Sequence, residues 1–243
     1  MAETLFISDL HLDPSRPEVI DLLTRFMTER AAQAEGLYIL GDLFEYWIGD
    51  DDVRPGLEPV IDALRRLTDG GVSAYFMAGN RDFLVGEGFA AATGCTLLDD
   101  PASIDLYGVP TLLMHGDTLC TDDVTYMQLR KQLRDPAFQA GFLALPVAQR
   151  RVQAEALRRQ SREATSTKAM DIMDVNADAV CDALRSHGVH RLIHGHTHRP
   201  ASHTLAIDGQ PAERIVLGDW YTQGSVLSVT PRGHVLETLD IRR

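Results

Sequence analysis

The sequence is poor in cysteine and contains no long apolar run. Its three cysteines, Cys95, Cys120 and Cys181, lie far apart and form no Cys-x-x-Cys pair of the kind found in zinc and redox sites. This usage favours a reducing cytoplasm. No apolar segment approaches the roughly 20 residues that cross a bilayer. The first residues lack the basic and apolar regions of a signal peptide, so we expect none.

Positive charge is also scarce. The 243 residues include 23 Lys and Arg against 35 Asp and Glu, which gives a formal net charge of −12. Nonspecific nucleic-acid binding requires a local excess of Lys and Arg, so we expect no nucleic-acid partner. Apolar residues make up 44% of the chain. This share is enough to bury the core of one large α/β domain, with or without an insertion.

Short apolar runs alternate with amphipathic stretches in the first part of the chain. Strands are predicted at residues 4–7, 37–40 and 74–77, with apolar residues at helical spacing between them. This alternation predicts parallel strands joined by right-handed helical crossovers. Further strands are predicted at residues 111–114, 191–194, 215–217, 226–229 and 235–239. The last two are expected to form a hairpin, which makes the sheet mixed at one side.

Residues 121–170 show no strand pattern. Tyr126, Leu129 and Leu133 fall on one helical face, and residues 147–162 are rich in Arg and Gln, with high helix propensity. We therefore predict a single domain over residues 1–243, with a helical cap inserted at residues 121–170.

Polar residues of metal-ligand type follow five of the predicted strands. They are Asp9 and His11, Asp42, Asn80, His115, and His196 with His198. Sites in open α/β sheets form at the carboxyl ends of strands, so these five ends are predicted to meet at one crevice. Each block alone is more typical of an ordinary turn. Five blocks in this order are improbable by chance and indicate a metal site.

The residue types favour a pair of metal ions. Asp9 and His11 alternate, as do His196 and His198, and on extended backbone each pair faces one side. The carboxylate of Asp42 has two oxygens with which to bridge two cations. Oxygen and nitrogen ligands without thiolate suit Mn²⁺, Fe²⁺, Zn²⁺ or Mg²⁺. Two such ions about 3.5–4 Å apart activate a water and clamp an in-line phosphoryl displacement.

The blocks SDLHL, GDLFEYWIGDD, GNRDFL, HGDTLCTDD and IHGHTHRP resemble the calcineurin-like metallophosphoesterase superfamily over nearly the whole chain. The resemblance implies an α/β fold: a βαβ sandwich of mixed sheets flanked by helices. The sequence is most similar to one branch, the UDP-2,3-diacylglucosamine diphosphatases of lipid A biosynthesis. Arg81 is typical of that branch, whereas most other members of the superfamily carry histidine at this position.

The resemblance also implies the site residues. One Mn²⁺ would be held by Asp9, His11 and His198, a second by Asn80, His115 and His196, and Asp42 would bridge the two ions. Four residues would be catalytic: Asp42, Asn80, Arg81 and His196. The substrate would contact Asn80, Arg81, Asp123, Ser161, Thr165, Lys168 and His196. Relatives often carry Asn at the position of Thr165, and the threonine hydroxyl can also hydrogen-bond.

The implied reaction is attack of water on the α-phosphorus of UDP-2,3-diacylglucosamine, giving UMP and 2,3-diacylglucosamine 1-phosphate (lipid X). The partners would be this lipid-linked nucleotide sugar and the cytoplasmic face of the inner membrane, to which the protein would bind peripherally. The alternatives are a general nucleotide or dinucleoside polyphosphate hydrolase of the same superfamily, a DNA exonuclease subunit, and a non-enzymatic scaffold. The acidic charge opposes the exonuclease, and retention of all seven ligands opposes the scaffold.

Three local features of the sequence each have two possible interpretations. Arg81 either holds phosphoryl oxygens or pairs with Asp82 or another nearby carboxylate, and we favour the first. The apolar cluster of the cap either lines an acyl-chain chamber or packs the cap onto the core; its members are Phe138, Phe142, Leu143 and Leu145. Arg158 and Arg159 either meet an anionic lipid surface or form a solvated helix face, and we favour the second.

Overall fold

The computed structural model describes residues 2–52, 55–166 and 174–241. The strands are β1 (Thr4–Ile7), β2 (Gly36–Leu40), β3 (Ser73–Met77), β4 (Thr96–Leu98), β5 (Ala102–Leu106), β6 (Val109–Met114), β7 (Arg191–His194), β8 (Ala201–Ile207), β9 (Gln210–Val216), β10 (Gly224–Thr230) and β11 (Gly233–Leu239). The α-helices are α1 (Pro17–Glu29), α2 (Glu58–Asp69), α3 (Glu87–Thr93), α4 (Val124–Leu133), α5 (Pro136–Leu143), α6 (Val147–Ser166) and α7 (Ala177–His187).

The strands form two mixed sheets. The first has the order β11-β10-β1-β2-β3-β4, in which β1 to β4 are parallel and the β10–β11 hairpin is antiparallel. The second has the order β5-β6-β7-β9-β8, with β6, β7 and β9 parallel between two antiparallel edge strands. The predicted α/β class, the mixed sheets and the terminal hairpin are therefore confirmed.

Strand β1 shows how the layers are built. Successive side chains of a strand point to opposite faces. Leu5 and Ile7 belong to the core shared with α1 and α2, whereas Phe6 belongs to the core between the two sheets. All three side chains are fully buried. On the outer face of the second sheet, α7 packs through Val180 and Leu184, so the order of layers is helix, sheet, sheet, helix.

Pairing in register aligns the ends of the central strands. Ile7 pairs with Ile39 in the first sheet, and Met114 pairs with His194 in the second. Because these pairs are parallel, the segments that follow them emerge at the same edge of each sheet. The register thus aligns three of the predicted ligand blocks at one edge of the first sheet and the other two at one edge of the second.

Three strands were not predicted from the sequence: β4, β5 and β8. Strand β4 has only three residues, while β5 and β8 are edge strands that leave many side chains exposed to solvent. A strand of this kind carries a weak apolar pattern. The strand predicted at 215–217 is the end of the longer β9, and Leu217 follows it.

Helices α4 to α6 occupy the described part of the predicted cap, residues 121–166, and no strand is found there. The buried Arg150 of α6 reaches the segment after β2, where its guanidinium donates to the Asp51 carboxylate and to the carbonyl of Ile48. Phe142 packs against Tyr46 and Ile48 of the same segment. The division into one domain and an inserted cap stays a prediction. None of the helices in the described ranges has the length and apolar character that would let it span a membrane.

Candidate metal centre

Left-handed backbone is concentrated at the predicted ligands. The φ angles are 56° at Asp9, 48° at His11, 53° at Asp42, 68° at His196 and 56° at His198. The expectation that the two alternating pairs lie on extended backbone is therefore wrong. Such angles cost about 1–3 kcal/mol each in residues other than glycine, and strain of this kind collects at functional sites. The neighbouring loops hold the angles in place, because His11 N–H donates to the Asp42 carbonyl at 2.9 Å.

Asp9, His11 and His198 form the first cluster of candidate ligands. His198 Nε2 lies 3.4 Å from Asp9 Oδ1 and 3.3 Å from His11 Nε2. These three atoms converge closely enough to share one cation. Two imidazole nitrogens and a carboxylate oxygen form a donor set that suits a divalent transition metal.

Asn80, His115 and His196 form the second cluster. Asn80 Oδ1 lies 3.0 Å from both His115 Nε2 and His196 Nδ1. Asp42 stands between the clusters, with Oδ2 at 3.9 Å from His11 Nε2 and Oδ1 at 3.8 Å from His115 Nε2. The structure thus brings all seven predicted ligands together in two groups that meet at Asp42.

Burial and close charges set the protonation of this centre. Burial opposes charge on His115, but the carboxylates of Asp42, Asp117 and Asp9 outweigh it and raise the His115 pKa to about 9. Burial, assisted by Asp82 and Asp9, raises the pKa of Asp42 to about 7. Burial lowers the pKa of His196 to about 3. Without cations, the buried carboxylates are balanced by a proton on His115, and bound metal would take over that role.

Outer carboxylates and a carbonyl orient the ligand imidazoles. Glu45 Oε2 lies 3.5 Å from His11 Nδ1, and Asp219 Oδ2 lies 3.8 Å from His198 Nδ1. The Leu40 carbonyl lies 2.9 Å from His115 Nδ1. Groups in these positions fix the ring orientation and tautomer of a metal-binding histidine. Sequence reasoning missed Glu45 and Asp219. Asp219 follows the end of the strand predicted at 215–217. The expectation that ligands follow the carboxyl ends of strands would therefore have identified it.

Asp82 ties together the segments that follow β2 and β3. Its buried carboxylate accepts hydrogen bonds from the N–H groups of Leu43 at 2.7 Å, Gly79 at 2.8 Å and Phe44 at 3.3 Å.

Among the residues that the structure describes, no ion pair joins Arg81 to Asp82 or to another carboxylate. The Arg81 N–H donates to Asp42 Oδ1 at 2.8 Å, and the Arg81 side chain lines a groove beside His11.

The predicted substrate residues lie partly within the described ranges. Asp123 caps α4 by accepting the Tyr126 N–H at 3.0 Å. Tyr126 donates its hydroxyl to Asp117 at 2.6 Å, and its ring centroid lies 5.9 Å from that of His196. Ser161 and Thr165 lie on α6, but their side chains are outside the described part of the chain. Lys168 lies outside the described residues altogether.

The expectation of a solvated face is wrong for Arg158 and fits Arg159. The Arg158 side chain is only 17% exposed, donates from Nε to Glu45 Oε1 at 3.1 Å and lies over the Tyr46 ring at 4.8 Å. Arg159 is exposed. In the apolar cluster, Phe142 is buried against the core whereas Leu143 is 40% exposed. Packing therefore accounts for Phe142, and the acyl-chamber role of the cluster stays a prediction.

Comparison with known proteins gives matches over most of the chain. The calcineurin-like phosphoesterase family model matches residues 3–200. A UDP-2,3-diacylglucosamine hydrolase of Stenotrophomonas maltophilia (strain R551-3) is 54% identical over 247 residues, which cover 98% of both chains. The protein of the same name from Nitrosococcus oceani is 56% identical and covers 95% of this chain and 92% of its own. That from Pseudomonas paraeruginosa is 55% identical, with 95% and 96% covered.

Proposed function

Because this chain belongs to the calcineurin-like phosphoesterases, and within them to the family of UDP-2,3-diacylglucosamine hydrolases, we propose that it hydrolyses the diphosphate of UDP-2,3-diacylglucosamine. The observation that carries the proposal is the meeting of two ligand clusters at Asp42, with Arg81 beside them. A metal-dependent hydrolase of phosphoanhydrides requires such a centre. Its carboxylate, imidazole and amide ligands fit Mn²⁺, and we propose two such ions for each chain.

The proposed reaction is in-line attack of water on the α-phosphorus. Two bound divalent ions would supply water activation and neutralise phosphoryl charge. Arg81 holds phosphoryl oxygens through its planar guanidinium, and His196 stabilises the same charge. The bond from the α-phosphorus to the bridging oxygen breaks, UMP gains the oxygen of water, and lipid X leaves as a phosphate. A phosphate leaving group needs less protonation than an alkoxide, which suits arginine at position 81.

We further propose that the cap contributes Asp123, Ser161, Thr165 and Lys168 to binding the acylated sugar. The substrate has two acyl chains and a charged head, so it resides in a membrane. We also propose a peripheral position at the membrane surface that holds this substrate, which the family resemblance implies is the cytoplasmic face of the inner membrane.

Turnover of two substrates tests the proposal. With Mn²⁺ added, the protein should release UMP from UDP-2,3-diacylglucosamine and leave UDP-N-acetylglucosamine largely intact. Equal hydrolysis of both substrates would instead indicate a general nucleotide hydrolase. For the direction of attack, hydrolysis in water labelled with heavy oxygen should place the label in UMP. Label in lipid X would show attack on the other phosphorus.

Replacing Arg81 with lysine should lower kcat by about 100-fold, the usual scale for loss of one group that stabilises transition-state charge. Lysine keeps the charge but lacks the planar fork that binds two phosphoryl oxygens at once. Metal affinity should stay within about twofold, because the side chain is not a proposed ligand. Steady-state kinetics and metal titration measure the two quantities. Full activity in the lysine variant would show that charge alone suffices.

Metal uptake should release protons near neutral pH. His115, with its pKa raised to about 9, is protonated there and must lose a proton to bind metal through Nε2. Asp42, with its pKa raised to about 7, adds a fraction of a second proton. Apparent affinity should therefore rise as the pH increases toward about 9. Titration calorimetry in buffers of different ionisation enthalpy counts the protons, and binding heats that do not depend on the buffer would refute this assignment.

Replacing Glu45 with glutamine should weaken metal binding by about tenfold, the lower end of the range for an outer-sphere partner of a metal-binding histidine. The amide keeps the shape of the side chain but removes the charge 3.5 Å from His11 Nδ1. Glu29→Gln, at an exposed site on α1, is the matched control. Titration of both variants measures the effect, and an unchanged Glu45→Gln affinity would exclude an orienting role for Glu45.

A further inference from the structure

A groove of about 710 Å³ opens beside the first ligand cluster. Its walls include His11, Arg16, Arg81, Arg158, Arg159 and Tyr221. We propose that this groove is the nucleotide subsite, which takes the uridine monophosphate half of the substrate. The inference rests on the proposed function and assigns a place to the half of the substrate that the cap residues leave unassigned.

Charge on the groove walls favours a phosphorylated, polar occupant. Arg158 is neutralised by Glu45, which leaves Arg16, Arg81 and Arg159 facing the carboxylates of Asp13 and Glu155. Arg16 is held in place, because its Nη2 donates hydrogen bonds of 2.8 Å to the backbone carbonyls of Trp220 and Tyr221. Within the described part of the chain, its buried Nη1 has no hydrogen-bond partner. Fixed guanidinium groups suit phosphate oxygens, and a charged lining of this kind excludes acyl chains.

Tyr221 supplies an aromatic surface in the same groove. Its ring packs parallel to the His11 ring, with centroids 5.2 Å apart and planes 6° apart, yet the residue is 46% exposed. The hydroxyl of a tyrosine is protonated near neutral pH, so it can donate a hydrogen bond. Nucleobases offer flat faces to aromatic residues and carbonyl acceptors to hydroxyl groups. The Arg16 guanidinium lies over the same ring, 5.2 Å from its centroid. Tyr221 and Arg16 are thus placed together to contact the base.

The geometry separates the two halves of the substrate. Asp123, a proposed sugar contact, caps the helix whose Tyr126 ring packs beside His196 of the second cluster. The groove adjoins His11 of the first cluster, and its walls come both from α6 of the cap, through Glu155, Arg158 and Arg159, and from the core, through Arg16 and Tyr221. A diphosphate lying across both clusters therefore points its acylated sugar toward α4 and its nucleoside toward the core wall of the groove, at Arg16 and Tyr221.

Binding of two soluble ligands tests this subsite. UMP and ribose 5-phosphate carry the same phosphate and sugar, and only UMP has a base. Calorimetry on the full-length, Mn²⁺-loaded protein should show UMP binding about tenfold more tightly, the scale of one base-aromatic contact. In Tyr221→Ala the two affinities should become about equal, whereas Tyr221→Phe should keep most of the preference. The ratio cancels any effect of Tyr221 on the metal centre, since both phosphates bind there.

A second groove provides the control. It is lined by Phe83, Asp100, Arg130 and Arg134. Phe83→Ala should leave the preference for UMP unchanged. Equal affinities in the wild type, or a preference lost in Phe83→Ala and kept in Tyr221→Ala, would overturn the assignment. If the UMP preference depends on Tyr221 but the diacylated substrate is not hydrolysed, the subsite stands and the proposed function fails.

Discussion

Replacing Asp42 with alanine should lower kcat for UMP release by at least about 1,000-fold, as expected when a residue shared by both metal positions is removed. Asp42 is 2% exposed and stands between the clusters, 3.9 Å from His11 Nε2 and 3.8 Å from His115 Nε2. It also accepts the Arg81 N–H at 2.8 Å, so its loss frees the loop that carries Arg81. Both metal positions and the neighbouring catalytic residue would be disturbed by one change.

The same substitution should not weaken the metal-free fold. Burial raises the pKa of Asp42 to about 7, so the ionised carboxylate is less favourable in the folded protein than in the unfolded chain. A buried carboxyl group with a raised pKa lowers the stability of the fold progressively as the pH rises from its ordinary pKa to the raised one, and the loss is complete above the raised value. Above neutral pH, relief of this buried charge should offset the hydrogen bond lost from the Arg81 N–H, so Asp42→Ala should melt at about the same temperature as the wild type or higher. Kinetics and melting together separate loss of the site from unfolding.

Asp62→Ala, at an exposed position on α2, is the matched control and should keep full activity. Asp42→Asn, which keeps the shape and one ligand oxygen, should be impaired less severely than alanine. If Asp42→Ala retained more than about a tenth of the wild-type rate with metal present, a bridging role for this carboxylate could not stand.

Replacing Gly79 with alanine should cost about 100-fold or more in kcat, since small misplacements of a reacting site have effects of this size. An added Cβ would lie 2.2 Å from Asp42 Oδ1 and 2.4 Å from the Asp42 backbone nitrogen. Neither atom can move freely, because Asp82 binds the segments that carry both residues. The clash would therefore displace the bridging carboxylate or the loop leading to Asn80.

Overpacking of this kind also destabilises a fold by about 1–3 kcal/mol. Melting and steady-state kinetics of Gly79→Ala would measure both effects. Gly141→Ala is a suitable control, because nothing lies within 4 Å of its added Cβ. Wild-type rates in Gly79→Ala would mean that the segments after β2 and β3 are looser than their hydrogen bonds indicate.

The metal centre could be predicted from the sequence because the strands that lead to it are buried and strongly apolar. Strand β1 is buried on both faces, so it reads as an uninterrupted apolar run ending just before Asp9. The same signal precedes Asp42, Asn80, His115 and His196. The backbone at these residues could not be predicted in this way. The chemistry of a side chain identifies a candidate metal ligand from the sequence. The left-handed φ angles, however, arise from hydrogen bonds between segments that are distant in sequence.

The cap shows the other limit of sequence reasoning. Helical spacing predicts α4 to α6, but nothing local identifies which arginines of α6 are buried. Arg150 binds Asp51 and Arg158 binds Glu45, across 99 and 113 residues of chain. Because charge runs usually lie on solvated faces, the sequence favoured a solvated interpretation of Arg158. Its partner, Glu45, is brought next to Arg158 only by the fold.

Metal stoichiometry tests the dinuclear centre most directly. Chelated protein should be titrated with Mn²⁺, and the ions bound to each chain counted by calorimetry and elemental analysis. We expect two ions for each wild-type chain, with one site weakened in His11→Ala and the other in His115→Ala. A single ion bound to the wild-type chain, or the same site lost in both variants, would contradict a metal pair bridged by Asp42.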